Sequence, residues 1–532
     1  MLKPVGERAR SETVGTRENG SIFRRCFIAL ALLCPTLGNA GSGLPPELRV
    51  QAGTSISIVA PGPVAVPNSS RMLFGFNFNW TTFGDAFFDE EGRVDPYIVN
   101  LLSALPGAIY RYPGGALANA FEPGRAVGPL HERSAMTGHA RRKVVARFGT
   151  DEFLEFVRSV GGVPLMVFNL VGPGEHLTST ASVIDEARQW YGDALQTRDL
   201  AGRPCVVVGG RCARVIWELG NELDFTPHNW SAAAYLERSS AVVDAIVAEH
   251  PNAVFIAHSA TAPYSRGAAG ARRAYLFNRD VAAGMAGRAQ AMAVHAYFDG
   301  RPVADYLSYV KRVTNDMTAA GWQDPQIFIT EYAKWRGNVG GFRADRPIRL
   351  AGAVSGADFL IAAMQMPEVK AAFWHVLGSE GPWRLFSPGA AGERPVAQAP
   401  YWALRVLADG HLPVILTTFN RSTNHANYDG GYDVRAVVAT EHAEKPRFSV
   451  SAVNRSGRAL WVDITIAGLE AGQHRVERRE ISGASGSLMN TAAQPATIEM
   501  DEARETLNVS ADGRARVRLL PHSVTSLMIH PL

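Results

Sequence analysis

The sequence predicts an α/β fold, a (β/α)₈ TIM barrel with a C-terminal β-sandwich that includes an N-terminal strand. Three features predict this fold. Eight short apolar runs recur from residue 72 onward, with room for a helix between successive runs. From about residue 411 the pattern changes to alternation of polar and apolar residues. A further alternating stretch, residues 54–58, precedes the first run and stands outside the count of eight.

The eight apolar runs do not alternate polar with apolar residues, which is the pattern of parallel strands buried on both faces. Their starts lie roughly 35 to 56 residues apart, so each unit has room for a helix and its loops. The predicted strands cover residues 72–78, 108–112, 164–169, 215–219, 253–258, 291–296, 326–331 and 371–376.

Two of the intervening helices are well marked. Thr150 is expected to cap the first, acidic residues follow it at the positive end of the helix, and Gly161 ends the helix. The second is predicted over residues 231–249, where apolar residues recur at helical spacing.

The alternating stretches near the C-terminus predict antiparallel strands at residues 434–438, 447–451, 460–464 and 514–519. The early strand at residues 54–58 is expected to join their sheets, and the Pro-rich residues 61–67 are expected to form a linker. The predicted domains are a signal peptide (1–40), an N-terminal strand with linker (41–70), the (β/α)₈ barrel (71–408) and the β-sandwich (409–532).

The composition is that of a globular protein with a large core. Of 532 residues, 46% are hydrophobic and 19% are charged. Six of the 53 basic and three of the 50 acidic residues lie in the first forty, so the rest of the chain carries 47 of each sign. Because residues 41–532 carry no net charge, nucleic acid or an anionic membrane is not expected as the main partner.

The N-terminus has the pattern of a secretion signal. Arg24 and Arg25 precede an apolar run at residues 26–34, and small residues near Ala40 offer a cleavage position. The run is too short to span a bilayer, so no stable membrane insertion is expected. The chain is therefore predicted to be secreted or periplasmic.

Export would leave Cys205 and Cys212 as the remaining cysteines. In an oxidising compartment they are expected to form a disulfide across a short loop, although two separate thiols beside a glycine turn would fit the same spacing. Two cysteines without clustered histidines do not indicate a zinc site, and no metal or organic cofactor is expected.

Two of the predicted barrel strands end on a glutamate. Residues 215–219 lead to Asn221 and Glu222, and residues 326–331 end at Glu331. Because barrel enzymes carry their chemistry at the C-terminal ends of the strands, the two carboxylates are expected to meet at the barrel mouth. Cleavage of a glycoside needs such a pair, one carboxyl group to protonate the leaving oxygen and one carboxylate to attack the anomeric carbon. Glu222 suits the first role and Glu331 the second, and Asn221 could bind the neighbouring sugar hydroxyl.

The motifs around these residues resemble those of the clan A glycoside hydrolases, and the resemblance covers the barrel and the sandwich. RYPGG at residues 111–115 and FGTDEFL at residues 148–154 resemble family 51 arabinofuranosidases. WELGNE at residues 217–222 is closer to family 79 glucuronidases and heparanases. TEY at residues 330–332 is nearer to family 39 and departs from the Asp-Glu-Trp that is common in family 51.

The resemblance implies roles for further residues at the ends of strands. Arg111 should contact the nucleophile Glu331 and keep it ionised, so that Glu222 has the higher pKa of the two. His295 and Tyr297 match a histidine and a tyrosine of the clan, and Tyr297 should donate a hydrogen bond to Glu331. Trp374 should line the subsite that holds the scissile sugar. Trp80, Trp335 and Trp383 suit sugar platforms or ordinary packing equally well.

The sequence therefore predicts an exported, retaining glycoside hydrolase that acts on a polysaccharide or oligosaccharide with an arabinofuranosidic or equatorial bond, through a glycosyl-Glu331 intermediate. Basic residues near the predicted mouth, among them Arg133, Arg142 and Arg384, could bind a uronate or could simply be solvated. The alternative function is a non-catalytic carbohydrate-binding barrel. No Gly-x-Ser-x-Gly elbow or His-Glu-x-x-His zinc helix indicates another hydrolase.

Overall fold

The computed structural model describes residues 57–61, 65–67, 71–81, 88, 92–138, 141–200, 203–263, 266–298, 303–334, 345–378, 381–390, 393–422 and 433–531. The predicted signal peptide at residues 1–40, the start of the early strand and Trp335 lie outside the described residues. Within the described ranges, no helix combines the length and apolar character that a membrane crossing requires.

The strands, in chain order, are β1 (Ser57–Ala60), β2 (Ala65–Pro67), β3 (Gly75–Asn77), β4 (Ile109–Tyr112), β5 (Met136–Thr137), β6 (Lys143–Val144), β7 (Val163–Phe168), β8 (Val206–Val208), β9 (Arg211–Ala213), β10 (Ile216–Leu219), β11 (Phe255–His258), β12 (Ala291–Phe298), β13 (Ile327–Lys334), β14 (Val369–Trp374), β15 (Phe386–Ser387), β16 (Val396–Ala397), β17 (Val414–Leu416), β18 (Phe419–Arg421), β19 (Val434–Thr440), β20 (Phe448–Asn454), β21 (Leu460–Ile466), β22 (Gly472–Ile481), β23 (Asp501–Val509), β24 (Arg514–Leu519) and β25 (Ser523–Ile529). The α-helices are α1 (Pro96–Ser103), α2 (Thr150–Ser159), α3 (Thr180–Gln196), α4 (Ala232–Glu249), α5 (Gly267–Met285), α6 (Val303–Ala319), α7 (Leu350–Met364) and α8 (Ala399–Asp409).

Eight parallel strands close into a barrel in the order β3, β4, β7, β10, β11, β12, β13, β14 and back to β3. Each of the eight predicted apolar runs overlaps one of these strands, so the predicted barrel is confirmed. Alternate residues fill the barrel interior, among them Ile216, Ile256, Ala293, Phe328 and Phe373. The residues between them face the surrounding helices, and this is why the runs are apolar throughout.

Helix α2 begins as the sequence predicts, but with a different cap. Gly149 occupies the N-cap position, and its N–H donates to Glu152 Oε2 at 2.8 Å. Thr150 lies inside the first turn, where its hydroxyl accepts a hydrogen bond from Trp190 Nε1 at 2.9 Å. The expectation that Thr150 caps the helix is therefore wrong, because the side chain of Glu152 already satisfies the N-terminal N–H group.

The C-terminal region forms a sandwich of two sheets, one ordered β18-β1-β21-β24 and the other β2-β17-β19-β20-β25-β22-β23. Strand β1 lies between β18 and β21, which confirms that an N-terminal strand joins the sandwich. The expected linker is partly a strand, because β2 pairs with β17 and places Pro67 opposite Val414. Since β2 is an edge strand, its proline does not interrupt a ladder on both sides.

The barrel and one face of the sandwich share a hydrophobic core, which is separate from the core between the two sheets. Residues of α7 and α8 pack on the face of the seven-stranded sheet that points away from the four-stranded sheet, including Val437, Val453 and Val524. Within this contact, the buried Asp358 of α7 bonds to Arg435 and Arg455 at 2.5 Å each. Strands β8 and β9 form a hairpin before β10, and Cys205 and Cys212 are joined there by the predicted disulfide.

Candidate active site

The site lies where strands β4, β10, β12 and β13 reach the C-terminal end of the barrel. After β10 the chain turns sharply, since Gly220 has φ +76° and a Cβ there would come within 2.6 Å of Leu223 Cδ1. Glu222 follows with φ +49°, a left-handed conformation that is uncommon for a residue with a side chain. This turn presents the Glu222 carboxyl group at the barrel mouth, and such local backbone strain clusters at functional sites.

The two glutamates converge as the sequence predicts. One carboxylate oxygen of Glu222, one of Glu331 and a ring nitrogen of His295 all lie within 4.8 Å of one another. Retaining glycosidases hold their two carboxyl groups about 5 Å apart, whereas inverting enzymes separate them by roughly 6.5–9.5 Å to admit a water molecule. The observed spacing therefore fits a retaining pair.

Arg111, on β4, is fully buried, and all five of its N–H groups have an acceptor. Nε and Nη2 donate to the two oxygens of Glu218 at 2.5 and 3.1 Å. Nη1 donates to Asn77 Oδ1 at 2.8 Å and to Glu331 Oε1 at 3.0 Å, and Nη2 donates to Asn221 Oδ1 at 2.8 Å. The predicted contact between Arg111 and Glu331 is thus present, and it belongs to a larger network.

Glu331 is 3% exposed and has a donor at each oxygen. Tyr297 donates its hydroxyl to Oε2 at 2.5 Å, which is the hydrogen bond that the resemblance implies. Burial raises the pKa of Glu331, but the positive charges of His295, His375 and Arg111 and the hydrogen bond from Tyr297 lower it to about 2. The carboxylate is therefore ionised at neutral pH and held in one orientation.

Glu222 has a different environment. Its side chain is 25% exposed, and its Oε1 lies 2.8 Å from Nδ1 of the buried His295. Burial lowers the pKa of His295, but the charge of Glu331 and the hydrogen bond and charge of Glu222 raise it above its usual value. Glu222 thus faces open solvent on one side and a histidine on the other, whereas Glu331 is enclosed.

Asn221 is positioned by both its side chain and its backbone. Its Oδ1 accepts from Arg111, so its Nδ2 group points away from the guanidinium. Its backbone N–H donates to Asn119 Oδ1 at 3.2 Å, and its carbonyl accepts from Asn119 Nδ2 at 2.7 Å. Asn119 therefore fixes the backbone just before Glu222.

Trp374 does not line this site. Phe373 points into the barrel, so the next side chain of β14 points outward. Trp374 is 1% exposed and packs against Gly356 of α7, where a Cβ would come within 2.6 Å of Trp374 Cζ3. The expected role of Trp374 in the sugar subsite is therefore corrected, because its ring belongs to the core between the barrel and α7.

A different tryptophan lies beside the carboxylates. Trp383 is partly exposed, and its ring centroid lies 5.3 Å from that of Tyr297 and 5.6 Å from that of His375. Its indole N–H donates to the Lys334 carbonyl at 2.9 Å. Trp80, by contrast, is 3% exposed and packs on Phe121.

Sequence reasoning missed Glu218, Asn77 and His375. Glu218 is fully buried in the middle of β10, and its Oε1 also accepts from Thr330 Oγ1 at 3.2 Å. Nδ1 of His375, the residue after Trp374, lies 3.6 Å from Glu331 Oε2. A charged residue inside an otherwise apolar strand was the available signal for Glu218, since a buried charge needs a partner.

Two of the arginines considered for uronate binding have structural partners. Arg133 is buried and bonds to the carbonyls of Gly128 and Ala146 and to Glu152. Arg384 bonds to the carbonyl of Gly381 and to Asp345. These contacts explain both arginines without a bound carboxylate, so neither residue supports the uronate hypothesis.

Glu222, His295 and Glu331 also satisfy the spacing of a three-ligand cation site. Arg111 and Tyr297 already occupy both oxygens of Glu331, at 3.0 and 2.5 Å. The negative charge of this carboxylate is therefore compensated by the protein itself, and an additional cation would meet the charge of Arg111 nearby. The arrangement is better suited to proton transfer and nucleophilic attack by two unequal carboxyl groups.

Comparisons with known proteins agree with this architecture. Residues 101–301 match a family model described as the Alpha-L-arabinofuranosidase 1 domain. The chain is similar to the solved structures of an alpha-L-arabinofuranosidase from Thermotoga maritima in complex with arabinose (18% identity, TM-score 0.71) and of a family 51 alpha-L-arabinofuranosidase from Bifidobacterium longum (16% identity, TM-score 0.71). It also resembles CelM2, a bifunctional glucanase-xylanase from a metagenome library (12% identity, TM-score 0.56). Each comparison covers 90% of this chain and 100% of the other.

No curated protein matches the sequence. The solved structures share the fold, and the domain match covers the strands that carry Arg111, Glu222 and His295. Together these findings confirm the predicted resemblance to the clan A glycoside hydrolases and support a glycoside hydrolase of the arabinofuranosidase type.

Proposed function

We propose that this protein is an exported, retaining glycoside hydrolase that removes α-L-arabinofuranosyl groups from a polysaccharide or oligosaccharide. The observation that carries the proposal is the pair of unequal carboxyl groups within 4.8 Å of each other, one enclosed and ionised, the other partly exposed and bonded to a histidine. The domain match and the arabinose complex of a similar structure support the choice of sugar.

In the first step, Glu222 gives its proton to the glycosidic oxygen as the bond from that oxygen to the anomeric carbon breaks. A carboxylate oxygen of Glu331 attacks the anomeric carbon from the opposite face and forms a glycosyl ester. The leaving alcohol departs with the proton of Glu222, which is now a carboxylate.

In the second step, Glu222 takes a proton from water as the water oxygen attacks the anomeric carbon. The ester bond to Glu331 breaks and the Glu331 carboxylate is regenerated. Two inversions restore the original anomeric configuration. Glu222 is again protonated, so the pair is ready for the next substrate.

The surrounding residues act on these two groups. Arg111 and Tyr297 hold Glu331 ionised and aimed, so little reorganisation is needed when the ester forms. Asn221 has its amide N–H₂ group directed away from Arg111, where it can donate to the sugar hydroxyl next to the anomeric carbon. Trp383 offers an aromatic face beside Tyr297, where a sugar ring could pack.

Export is supported by the N-terminal sequence, in which two arginines precede an apolar run and small residues follow it. The alternative of a non-catalytic carbohydrate-binding barrel is disfavoured, because both carboxyl groups are present at the barrel mouth, within 4.8 Å of each other, and Arg111 and Tyr297 orient Glu331.

The substitution Glu331→Ala tests the proposal. With an aryl α-L-arabinofuranoside, turnover should fall by several orders of magnitude, because the attacking carboxylate is gone. Added azide should restore part of the rate and give the glycosyl azide of inverted configuration, identified by NMR. The matched control Glu502→Ala, on the exposed strand β23, should keep full turnover. An active Glu331→Ala enzyme, or an inverted sugar released by the unaltered enzyme, would refute the double displacement.

A further inference from the structure

The outer face of the four-stranded sheet carries a regular array of arginine and aromatic side chains. Strand β24 alternates exposed and buried residues, so Arg514, Arg516 and Arg518 all point to the outer face. The neighbouring strand β21 has the same alternation, with Trp461 outward between buried Leu460 and Val462. We define this outer face of β18, β1, β21 and β24 as the arginine face.

Strand register places the members of the arginine face next to one another. Trp461 lies opposite Arg518, and Asp463 lies opposite Arg516. At the opposite edge of the sheet, β18 pairs with β1 and places Arg421 beside Ser57 and Phe419 beside Val59. Neighbouring strands lie about 4.8 Å apart and alternate residues of one strand about 6.8 Å apart, so the three arginines of β24 span roughly 14 Å.

The two aromatic side chains of the arginine face, Trp461 and Phe419, are unusually exposed for large apolar residues. Trp461 is 56% exposed, although its strand β21 lies in the interior of the sheet. Phe419, on the edge strand β18, is 37% exposed. The guanidinium of Arg516 lies 5.7 Å from the Trp461 ring centroid. A tryptophan so exposed contributes little to the core, and flat aromatic surfaces of this kind suit the apolar faces of sugar rings.

The charge of the arginine face is also unequal. Strand β24 contributes three arginines, and two aspartates lie beside them, Asp463 on β21 and Asp512 in the turn before β24, whereas the chain after the first forty residues is neutral. Arg516 pairs with Asp463 at 3.4 Å, and Arg514 pairs with Asp512 at 3.1 Å. Arg518 has no acidic partner among the described residues, and guanidinium groups bind carboxylates through paired N–H donors.

We propose that the arginine face is a binding site for an acidic polysaccharide, whose carboxylates pair with the arginines while a sugar ring packs on Trp461. This site is separate from the catalytic carboxylates and goes beyond the proposed function. A polysaccharide fits better than nucleic acid, because the neutral body of the chain would not attract the dense charge of a phosphate backbone. A uronate chain carries fewer charges and offers flat rings.

Binding is measured with the full-length protein by affinity electrophoresis in gels that contain polygalacturonate, with fully methyl-esterified polygalacturonate as the uncharged counterpart. Polygalacturonate should retard the protein, and the methyl ester should retard it at least fivefold less. Arg518→Ala and Trp461→Ala should each weaken retention at least fivefold. The matched control Arg279→Ala, an exposed arginine of α5, should behave as the unaltered protein.

Turnover of a small aryl arabinofuranoside should stay unchanged in Arg518→Ala, Trp461→Ala and Arg279→Ala, which shows that each variant is folded. This readout also keeps the two proposals apart, since loss of turnover concerns the barrel and loss of retention concerns the sandwich. Equal retardation by the two polymers would overturn the proposed binding site. An equal loss of retardation in Arg279→Ala and Arg518→Ala would overturn it as well. Tighter binding to double-stranded DNA than to polygalacturonate, lost in Arg518→Ala, would overturn the choice of ligand.

Discussion

At the scale of single residues, the site depends on the buried guanidinium of Arg111, which donates hydrogen bonds to several residues at once. Arg111 lies between two carboxylates, Glu218 and Glu331, and also bonds to Asn77 and Asn221. A buried guanidinium with all its donors satisfied is held in one position, and its charge helps to keep Glu331 ionised. Tyr297 then fixes the second oxygen of Glu331.

Replacing Tyr297 with phenylalanine should raise the pKa of Glu331, because one hydrogen bond to the charged form is lost. Glu331 must be ionised to attack, so the acid limb of kcat/KM should move to higher pH. The measurement is kcat/KM against pH for Tyr297→Phe, with Tyr275→Phe on α5 as the control. An acid limb that stays in place, or moves to lower pH, would contradict this role.

Replacing Glu222 with alanine should slow substrates according to their leaving groups. For alkoxide leaving groups the loss should be about 10² to 10⁴, the usual contribution of general acid catalysis. For a dinitrophenolate, which needs no proton, the first step should be nearly unaffected. The check is a plot of log kcat/KM against leaving-group pKa, which should be steeper for the variant. Parallel plots would assign the acid to another group.

The convergence of strand ends in a barrel predicts that Glu222 and Glu331 meet, whereas the contacts of Arg111 and Tyr297 with Glu331 are implied by the resemblance to the clan A glycoside hydrolases. Glu222, Glu331, Arg111, His295 and Tyr297 were all placed at strand ends, and the structure brings them together. Trp374 was misplaced because the side on which a strand residue lies depends on register, and the pairing of β13 with β14 shifts irregularly just before this residue. The apolar run alone does not reveal such a shift.

At the scale of elements, the barrel strands are tied together by the buried polar network as well as by their ladders. Glu218 of β10 bonds to Arg111 of β4 and to Thr330 of β13. Asn77 of β3 accepts from Arg111 and donates to the Thr330 carbonyl at 2.7 Å. Four strands that are distant in sequence thus share one set of hydrogen bonds.

Glu218→Ala should destabilise the barrel by about 3–5 kcal/mol, because it removes one partner of a buried ion pair and leaves Arg111 short of charge compensation. Urea unfolding, followed by tryptophan fluorescence, measures the change in the free energy of unfolding. Glu237→Ala, on the exposed side of α4, should change stability by less than about 0.5 kcal/mol. A similar small change in Glu218→Ala would show that the network adds no stability.

Element types were more predictable than element ends. The eight barrel strands follow from unbroken apolar runs, and β19, β20, β21 and β24 of the sandwich follow from alternation. No prediction was made for β17, β18, β22, β23 and β25, and β25 is buried at every residue, so it does not alternate. β2 was missed because its three residues include a proline and pair only at an edge. The cap of α2 was assigned to Thr150 because a glycine at the N-cap has no side chain to signal the position.

At the scale of the whole molecule, the barrel is inserted into the sandwich. β1 and β2 precede the barrel, and the sheets that receive them are completed only after α8. Ile58 and Ala60 of β1 lie in the sandwich core. The two parts are further joined by the shared core around α7 and by the Asp358 contacts with two sandwich arginines.

Removing residues 1–67 should therefore destabilise the sandwich and, through the shared core, the barrel. Loss of a buried isoleucine alone costs about 1.5–3 kcal/mol, and the truncation removes all of β1 and β2, so the midpoint of thermal unfolding should fall. Removing residues 1–40 should leave it unchanged. Differential scanning calorimetry compares the two truncated chains, and equal midpoints would mean that β1 and β2 are dispensable.

The central claim, that Glu331 becomes covalently bonded to the sugar, is tested most directly by trapping the intermediate. An activated arabinofuranoside whose second step is slow should label the protein once, and peptide mass spectrometry should locate one pentosyl group on Glu331. Glu222→Ala should increase the labelled fraction, because the water then lacks its base. A label on any other residue, or none while product of inverted configuration forms, would contradict the account.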